Sequence, residues 1–578
     1  MKNYIVLVLI GLTVSICAKA AELHLRANTS HIPETGTPAK KYYDKAVGGD
    51  AAAQHNLAFC YATGEGGVVQ DYAESVKWER MAAEQGNVSA QYALAYRYYS
   101  GEGVAQSYEE AVRWYEAAAG QGMADAEYKL GLCHEYGYGV AQNQDEALRW
   151  YEKAADRGYP QAMRGLGRIY AARGDKTEAA KWWRQAAESG NADGQFSLGL
   201  SYFNGNGVPK NYTEAVVWLR KSAEQDDPVA QFGLGVCYYW GYGVPRDGKE
   251  ALRWWTMSAE QGYADAQYNI GRYFEEKNDY VQAVKWYTMA AEQGQALAQN
   301  NLGGCYSKGF GVEQDVSEAL KWYRKSAEQN DEAAQYNIAY MYYHGKGLPQ
   351  SYEKAVEWFR KSAEQNYANA LNDLGACYSG GLGVEKDVYA AVSYYRKAVE
   401  LGYAPAQCNL GICYELGEGV KKDLRQAAKL YQDAANQGHA RAQCFLGVCY
   451  DEGEGVKRNH KEAVAWYRKA ADQGYVDALV KLGSCYYKGK GVSRDYGEAV
   501  KLYRKAALQG NAIAQYNLGI CYEYGDGVPR DREEANRWYK MAAEQAERLK
   551  QTAMMYIINA KSAFCRFPRH GICRGFEW

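Results

Sequence analysis

Three kinds of residue in this chain of 578 could do chemistry: a serine followed by a lysine, eight histidines and fourteen cysteines. Ser351-Tyr352-Glu353-Lys354 has the Ser-x-x-Lys spacing in which a lysine, one helical turn on, activates a serine for acyl transfer. Such sites also use Lys-Thr-Gly or Ser-Asp-Asn elements, and the chain contains neither. Ser351 also falls where corresponding segments carry Asp or Asn, as a helix cap would. The histidines are scattered, and none shares a helix with a second ligand at metal spacing. Paired carboxylates such as Glu109-Glu110 and Glu275-Glu276 read as solvated helix ends, where acid suits the dipole. The Gly-x-Gly loops follow no strand, so they are not phosphate loops. A net charge of −2 gives no reason to expect nucleic acid or an anionic membrane. No catalytic residue, metal or cofactor is expected.

The cysteines are ordered. Nine form one column: Cys60, Cys133, Cys237, Cys305, Cys377, Cys413, Cys449, Cys485 and Cys521. Other segments place Arg97, Ile169, Ser201, Tyr273 or Met341 there, so a thiol is not required. Packed helices lie roughly 10 Å apart, whereas a disulfide needs Cα atoms within about 7 Å. The column therefore reads as free, buried thiols acting as small hydrophobes. Cys408 and Cys444 add a short second column. The candidate disulfide is Cys565 with Cys573, near the C-terminus.

The elements that must position these residues are repeats. Gly510 to Gln545 is representative: GNAIAQYNLGICYEYGDGVPRDREEANRWYKMAAEQ. Closing glycines recur at Gly86, Gly122, Gly158, Gly190, Gly262, Gly294, Gly402, Gly438, Gly474 and Gly510, with Asp226, Asn330 and Asn366 filling the gaps. The step is 36 residues, or 32 in two cases, giving fourteen units between Gly49 and Gln545. Helix A carries Ala514, Leu518 and Tyr522 four apart on one face. Gly519 lets another helix approach. Gly525-Asp526-Gly527-Val528 ends helix A through a left-handed glycine. Helix B opens on Asp, Asn or Ser in all fourteen units, and twelve place Glu or Gln three residues on, as a capping box does. It continues as Glu-Ala-x-x-Trp-Tyr-x-x-Ala-Ala-Glu-Gln, seen at Glu318 to Gln329. The two short units lose the glycine loop but keep both helices. The composition fits such an array, with 54 Tyr, 61 Gly and only 10 Pro.

This pattern closely resembles the Sel-1-like repeat family, a relative of the tetratricopeptide repeat. The resemblance implies an all-α, right-handed α/α superhelical solenoid with an adaptor or scaffold role in protein assemblies. Exported cysteine-rich members of the family, some labelled as acting on β-lactams or peptidoglycan, pair cysteines seven residues apart within each repeat. This chain lacks that spacing.

In tetratricopeptide-like stacks helix A lines the concave face. Its outward positions are then two before, two after and five after the leucine. This stripe offers Tyr92, Tyr96, Tyr99, Tyr128, Phe196, Phe203, Phe232, Tyr239 and Tyr268. It continues through Asn300, Tyr336, Tyr340, Tyr343 and Asn372, then turns acidic at Glu415, Asp451 and Glu523. Flat rings suit an extended peptide or protein, and would also suit a glycan. A separate column just before the leucine (Asn56, Asn269, Asn301, Asn337, Asn409, Asn517) reads as a hydrogen-bond ladder between repeats.

At the N-terminus, Lys2, the apolar run Tyr4–Ile16 and Ala18-Lys19-Ala20 read as a signal peptide over residues 1–20. That run is too short to span a membrane. Residues 21–48 read as a flexible lead-in, 49–545 as the solenoid, and 546–578 as a capping helix with a basic tail. The function expected is an exported, periplasmic or secreted, non-enzymatic scaffold. A hydrolase acting on β-lactam or peptidoglycan and a secreted binder of host proteins are the alternatives.

Overall fold

The structure, a computed structural model, describes residues 32–559. The signal segment and the Cys565–Cys573 pair lie outside them. Among the described residues the chain is all-helical, with a helix at Pro38–Val47 followed by fourteen A/B pairs, nearly every helix thirteen residues long. The chain falls into two compact units, divided between Ala266 and Gln267. Within each, a helix packs on its neighbours in sequence, so the array is built from local contacts.

The helix at Pro38–Val47 corrects the flexible lead-in over residues 38–47. Its residues explain it. Ala39, Tyr42, Tyr43 and Ala46 repeat the helix B pattern, Pro38 takes the first turn, and the Thr37 hydroxyl caps the Lys40 N–H at 3.3 Å. Ala39 and Ala46 are fully buried. The Gln54 amide donates to the Ala46 carbonyl at 3.0 Å. This lone helix B covers the first repeat. At the other end helix B runs unbroken over Arg532–Asn559, as expected where Ala546 replaces the closing glycine.

Within a repeat, helix A buries Ala514 and Leu518 completely. A leucine so placed contributes about 1.5–3 kcal/mol. Gly519 meets the second ring of the helix B Trp-Tyr pair; a Cβ there would lie 2.7 Å from Tyr539. The equivalent rings of Tyr115, Tyr151, Tyr431 and Tyr467 are almost wholly buried. The Tyr522 hydroxyl accepts from Arg504 of the preceding repeat at 2.7 Å, and Arg468 does the same for Tyr486 at 2.8 Å. The loop glycines have separate tasks. Gly525 takes φ +82° to close helix A, whereas Gly527 lies against the Tyr496 carbonyl, on the first turn of the preceding helix B, where no Cβ fits.

The capping box forms by half. Every helix B cap side chain accepts from the backbone three residues on, from Asp71 to Asp531. The cap's own N–H does not wait for the glutamate. It donates to the carbonyl at the column tyrosine of helix A, as Asp71 does to Tyr61 and Asp531 to Tyr522. Most of the glutamates instead pair with a base three residues on, as in Glu318–Lys321 and Glu534–Arg537.

A glutamine chain ties the repeats together. The last glutamine of helix B donates to the helix A glutamine of its own repeat in nine units, for example Gln121 to Gln91 at 2.8 Å and Gln473 to Gln443 at 2.8 Å. The helix A glutamine donates in turn to the end of the previous helix B, as Gln91 does to Ala83 at 3.2 Å. In repeat 124–159 the pair becomes Glu127 and Arg157, joined at 3.0 Å.

Candidate functional site

Helix A presents one arc to solvent, and the structure fixes which. The position six after the leucine is exposed in most repeats, and the position two after it is exposed at Phe59, Tyr96, Arg168, Leu200 and Arg272. The position five after it, and the one two before it, lean toward helix B and are largely covered. Tyr99 packs edge-on to Tyr108 and Tyr138, at 5.3 and 5.8 Å. Tyr92 lies 5.6 Å from Tyr115, Tyr128 lies 5.7 Å from Tyr151, and Phe232 lies 5.3 Å from Tyr263. Phe203 lies 5.0 Å from Tyr212, and Tyr239 lies 5.3 Å from Trp255. Phe196 belongs to the rim of the core around Leu234. In the second unit Tyr268 lies 5.9 Å from Tyr287, and Tyr336 and Tyr343 lie 5.7 and 6.1 Å from Phe359. These rings are half-buried packing elements. Of the twelve stripe aromatics only Tyr96 is exposed, and Tyr340 is half-buried.

The acidic end of the stripe is also used within the fold. The carboxylates of Glu135, Glu415 and Glu523 accept from the hydroxyls of Tyr151, Tyr431 and Tyr539 at 2.6, 2.5 and 2.7 Å. Glu275 does the same for Tyr287. Asp451 pairs with His460 and Lys490, each at 2.9 Å. The solvent-exposed arc of helix A therefore does not coincide with the stripe expected from the spacing. The exposed apolar side chains on helix A of the first unit are Phe59 (55%), Tyr96 (41%) and Leu200 (37%), two after the leucine, and Tyr136 (49%) and Trp240 (56%), six after it. Apart from Tyr96, the sequence argument missed all of these. The glycine column could have found them, because it marks the flank that helix B covers and so the flank left open.

Part of the asparagine column bridges repeats, though it steps sideways. Asn337 donates to Asn300 and Asn409 to Asn372, each at 2.9 Å, pairing a column residue with the stripe position of the repeat before. Ser351 is a cap: its hydroxyl accepts from the Lys354 N–H at 3.3 Å and donates to Glu353 at 3.0 Å. The Lys354 ammonium sits over the Tyr342 ring, 5.5 Å from its centre. All eleven described cysteines are free and buried. Burial raises the thiol pKa, to about 12 at Cys237 and Cys377 and about 11 at Cys133.

The Sel1 repeat model matches fourteen consecutive segments, from 51–87 to 512–547. The chain belongs to the Sel1 repeat family. Each segment opens on helix A, and all but the last close after helix B; segment 512–547 ends inside Arg532–Asn559. A protective antigen present in uropathogenic Escherichia coli strains and displaying an SLR fold is 31% identical over 92% of this chain and 99% of its own, with a TM-score of 0.45. A Sel1 repeat protein from Oxalobacter formigenes is 37% identical over 41% of this chain and 98% of its own, at a TM-score of 0.40. An immunity protein from Pseudomonas aeruginosa is 28% identical over 38% and 81%, at 0.27. No curated protein matches. Sel1 repeat proteins are in general protein-interaction scaffolds and not enzymes. Among the described residues no helix is long and apolar enough to cross a membrane.

Proposed function

We propose that this Sel1 repeat protein is an exported, non-enzymatic adaptor that holds a protein partner on the helix A face of its first unit. The observation that carries this is the exposed series Phe59, Tyr96, Tyr136, Leu200 and Trp240, two or six residues after the leucine on every helix A of the first unit except Pro160–Ala172. Large apolar side chains exposed on one face of a rigid element mark interaction sites, because leaving them in water costs free energy that a partner recovers. The scaffold reading is preferred to the hydrolase one because Ser351 serves as a helix cap, accepting from the Lys354 N–H. Periplasmic or secreted placement rests on the N-terminal segment. Partners from the producer's envelope and from a host both remain proteins of this class.

The test is a photo-crosslinking amino acid placed at Tyr96, Trp240 or, as a control, Tyr389, which is 75% exposed on a helix B. Crosslinking in the producing organism should give one discrete adduct from the first two sites and none from the third. Replacing Phe59 and Tyr136 by serine should abolish it. Equal labelling from all three sites, or no adduct at all, overturns the proposal. Mass spectrometry of the adduct identifies the partner and its source.

A further inference from the structure

One repeat in the second unit departs from its siblings in ways that packing does not require. Helix A at Glu332–His344 has aromatic rings at all three positions along one ridge: Tyr336, Tyr340 and His344. No other helix A in the chain does. The ring centres of Tyr336 and Tyr340 lie 6.3 Å apart, and those of Tyr340 and His344 4.2 Å. The next helix A, Ala368–Gly380, carries the small residues Ala376 and Gly380 at the register of Tyr340 and His344. The same helix bears Asp373, the one acid in a column that holds asparagine in six repeats.

Asp373 is half-buried. One carboxylate oxygen accepts from the Tyr336 hydroxyl and the other from the Asn372 amide, each at 2.9 Å. It enters no ion pair among the described residues. Burial raises its pKa, and burial together with Lys346 lowers that of His344. The Lys346 ammonium already sits 5.0 Å from the Tyr340 ring centre, so that ring attracts cations. A carboxylate oxygen with one bond made has a further lone pair to offer, and two such oxygens match a guanidinium.

We infer that Tyr340, His344 and Asp373 form a subsite for an arginine side chain of the protein partner, its guanidinium flat on Tyr340 and paired with Asp373. This rests on the adaptor reading and goes beyond it, to the second unit. Arginine fits better than lysine because its planar, weakly hydrated head can stack and pair at once.

The probe is N-acetyl-arginine methylamide, read by saturation-transfer NMR on the full chain, with the lysine and citrulline analogues beside it. Arginine should receive saturation at its δ-methylene, lysine less, and citrulline, which has no charge, none. Asp373→Asn installs the residue that six sibling repeats already carry, so its melting temperature should match wild type. It should weaken arginine binding about tenfold, and Tyr340→Ala should weaken it several-fold. Citrulline binding as well as arginine, or an Asp373→Asn chain that binds arginine unchanged, overturns the subsite. The crosslinks from Tyr96 and Trp240 are read on the other unit. Their survival alongside a failed arginine probe removes this inference alone, whereas their loss removes the adaptor reading itself.

Discussion

Glu79 stands in helix B where the following repeats bury Tyr115 and Tyr151, and Arg97 stands in the thiol column of the next helix A. The two are 3.7 Å apart, too long for a hydrogen bond, with the Ser75 hydroxyl 3.3 Å from the carboxylate. Burial pushes the Glu79 carboxyl up to about 7, against the pull of Arg97 and Ser75. The fold therefore favours the protonated form. Its contribution is fully present below the unfolded-state pKa of about 4.3 and is lost as pH rises through about 7. The urea midpoint of the first unit, followed by labelling of Cys60, should fall between pH 5 and 8, and Glu79→Gln should flatten that fall. Parallel curves for the two chains would place the pH dependence elsewhere. Neither partner is hard to see in the sequence, since each breaks a column. What the columns cannot say is that the two breaks answer each other, because they lie in different repeats. The acids at Glu415 and Glu523 misled for a related reason. A carboxylate at the edge of an aromatic stripe looks like a ligand site until the buried tyrosine hydroxyl behind it is in view.

Between elements, the glutamine pairs decide how helix B closes on helix A. Gln231 is fully buried, accepts from Gln261 at 3.0 Å and donates to Ala223 at 3.2 Å. Removing the donor strands a buried carbonyl oxygen, which costs about 1–3 kcal/mol. Gln261→Ala should therefore destabilise by that much. In a cycle with Gln231→Leu, calorimetric unfolding should show coupling of about 0.5–3 kcal/mol; strictly additive effects would mean that the bond contributes nothing. The chain already contains the alternatives, as Leu371 with Leu401 and as Glu127 with Arg157, so this joint tolerates an exchange of both partners together. Helix boundaries, caps and the glycine stop were legible because each has a local chemical requirement. The solvent-facing arc of helix A was not. Periodicity at about 100° per residue defines a face but not which flank a second helix covers. The glycine column held that information: Gly131 is pressed against the Tyr151 ring, and Glu135, four residues on along that flank, reaches the hydroxyl of the same tyrosine.

Across the whole molecule the thiols report on the array one repeat at a time. The eleven free cysteines among the described residues would be at risk of oxidation if they ionised. Burial keeps them as thiols, with Cys408, Cys444 and Cys521 each at about 12, so the native protein should resist an aqueous maleimide for hours at neutral pH. Denaturant then exposes them in an order the architecture sets. A repeat is stabilised by its neighbours, so a terminal one has lost part of that support. The lone helix at Pro38–Val47 covers the first repeat, while the last relies on the long helix Arg532–Asn559 that is its own helix B. Mass-resolved labelling across a urea series should therefore find Cys521 reacting at lower urea than Cys413 or Cys449 within the second unit. In the first unit Cys60, covered by the extra helix, should follow Cys133 closely. Deleting residues 38–47 should bring Cys60 forward to much lower urea while leaving Cys521 where it was. If all eleven thiols react at one midpoint before and after that deletion, the array unfolds as a single block, and the covering helix is not what holds its first repeat.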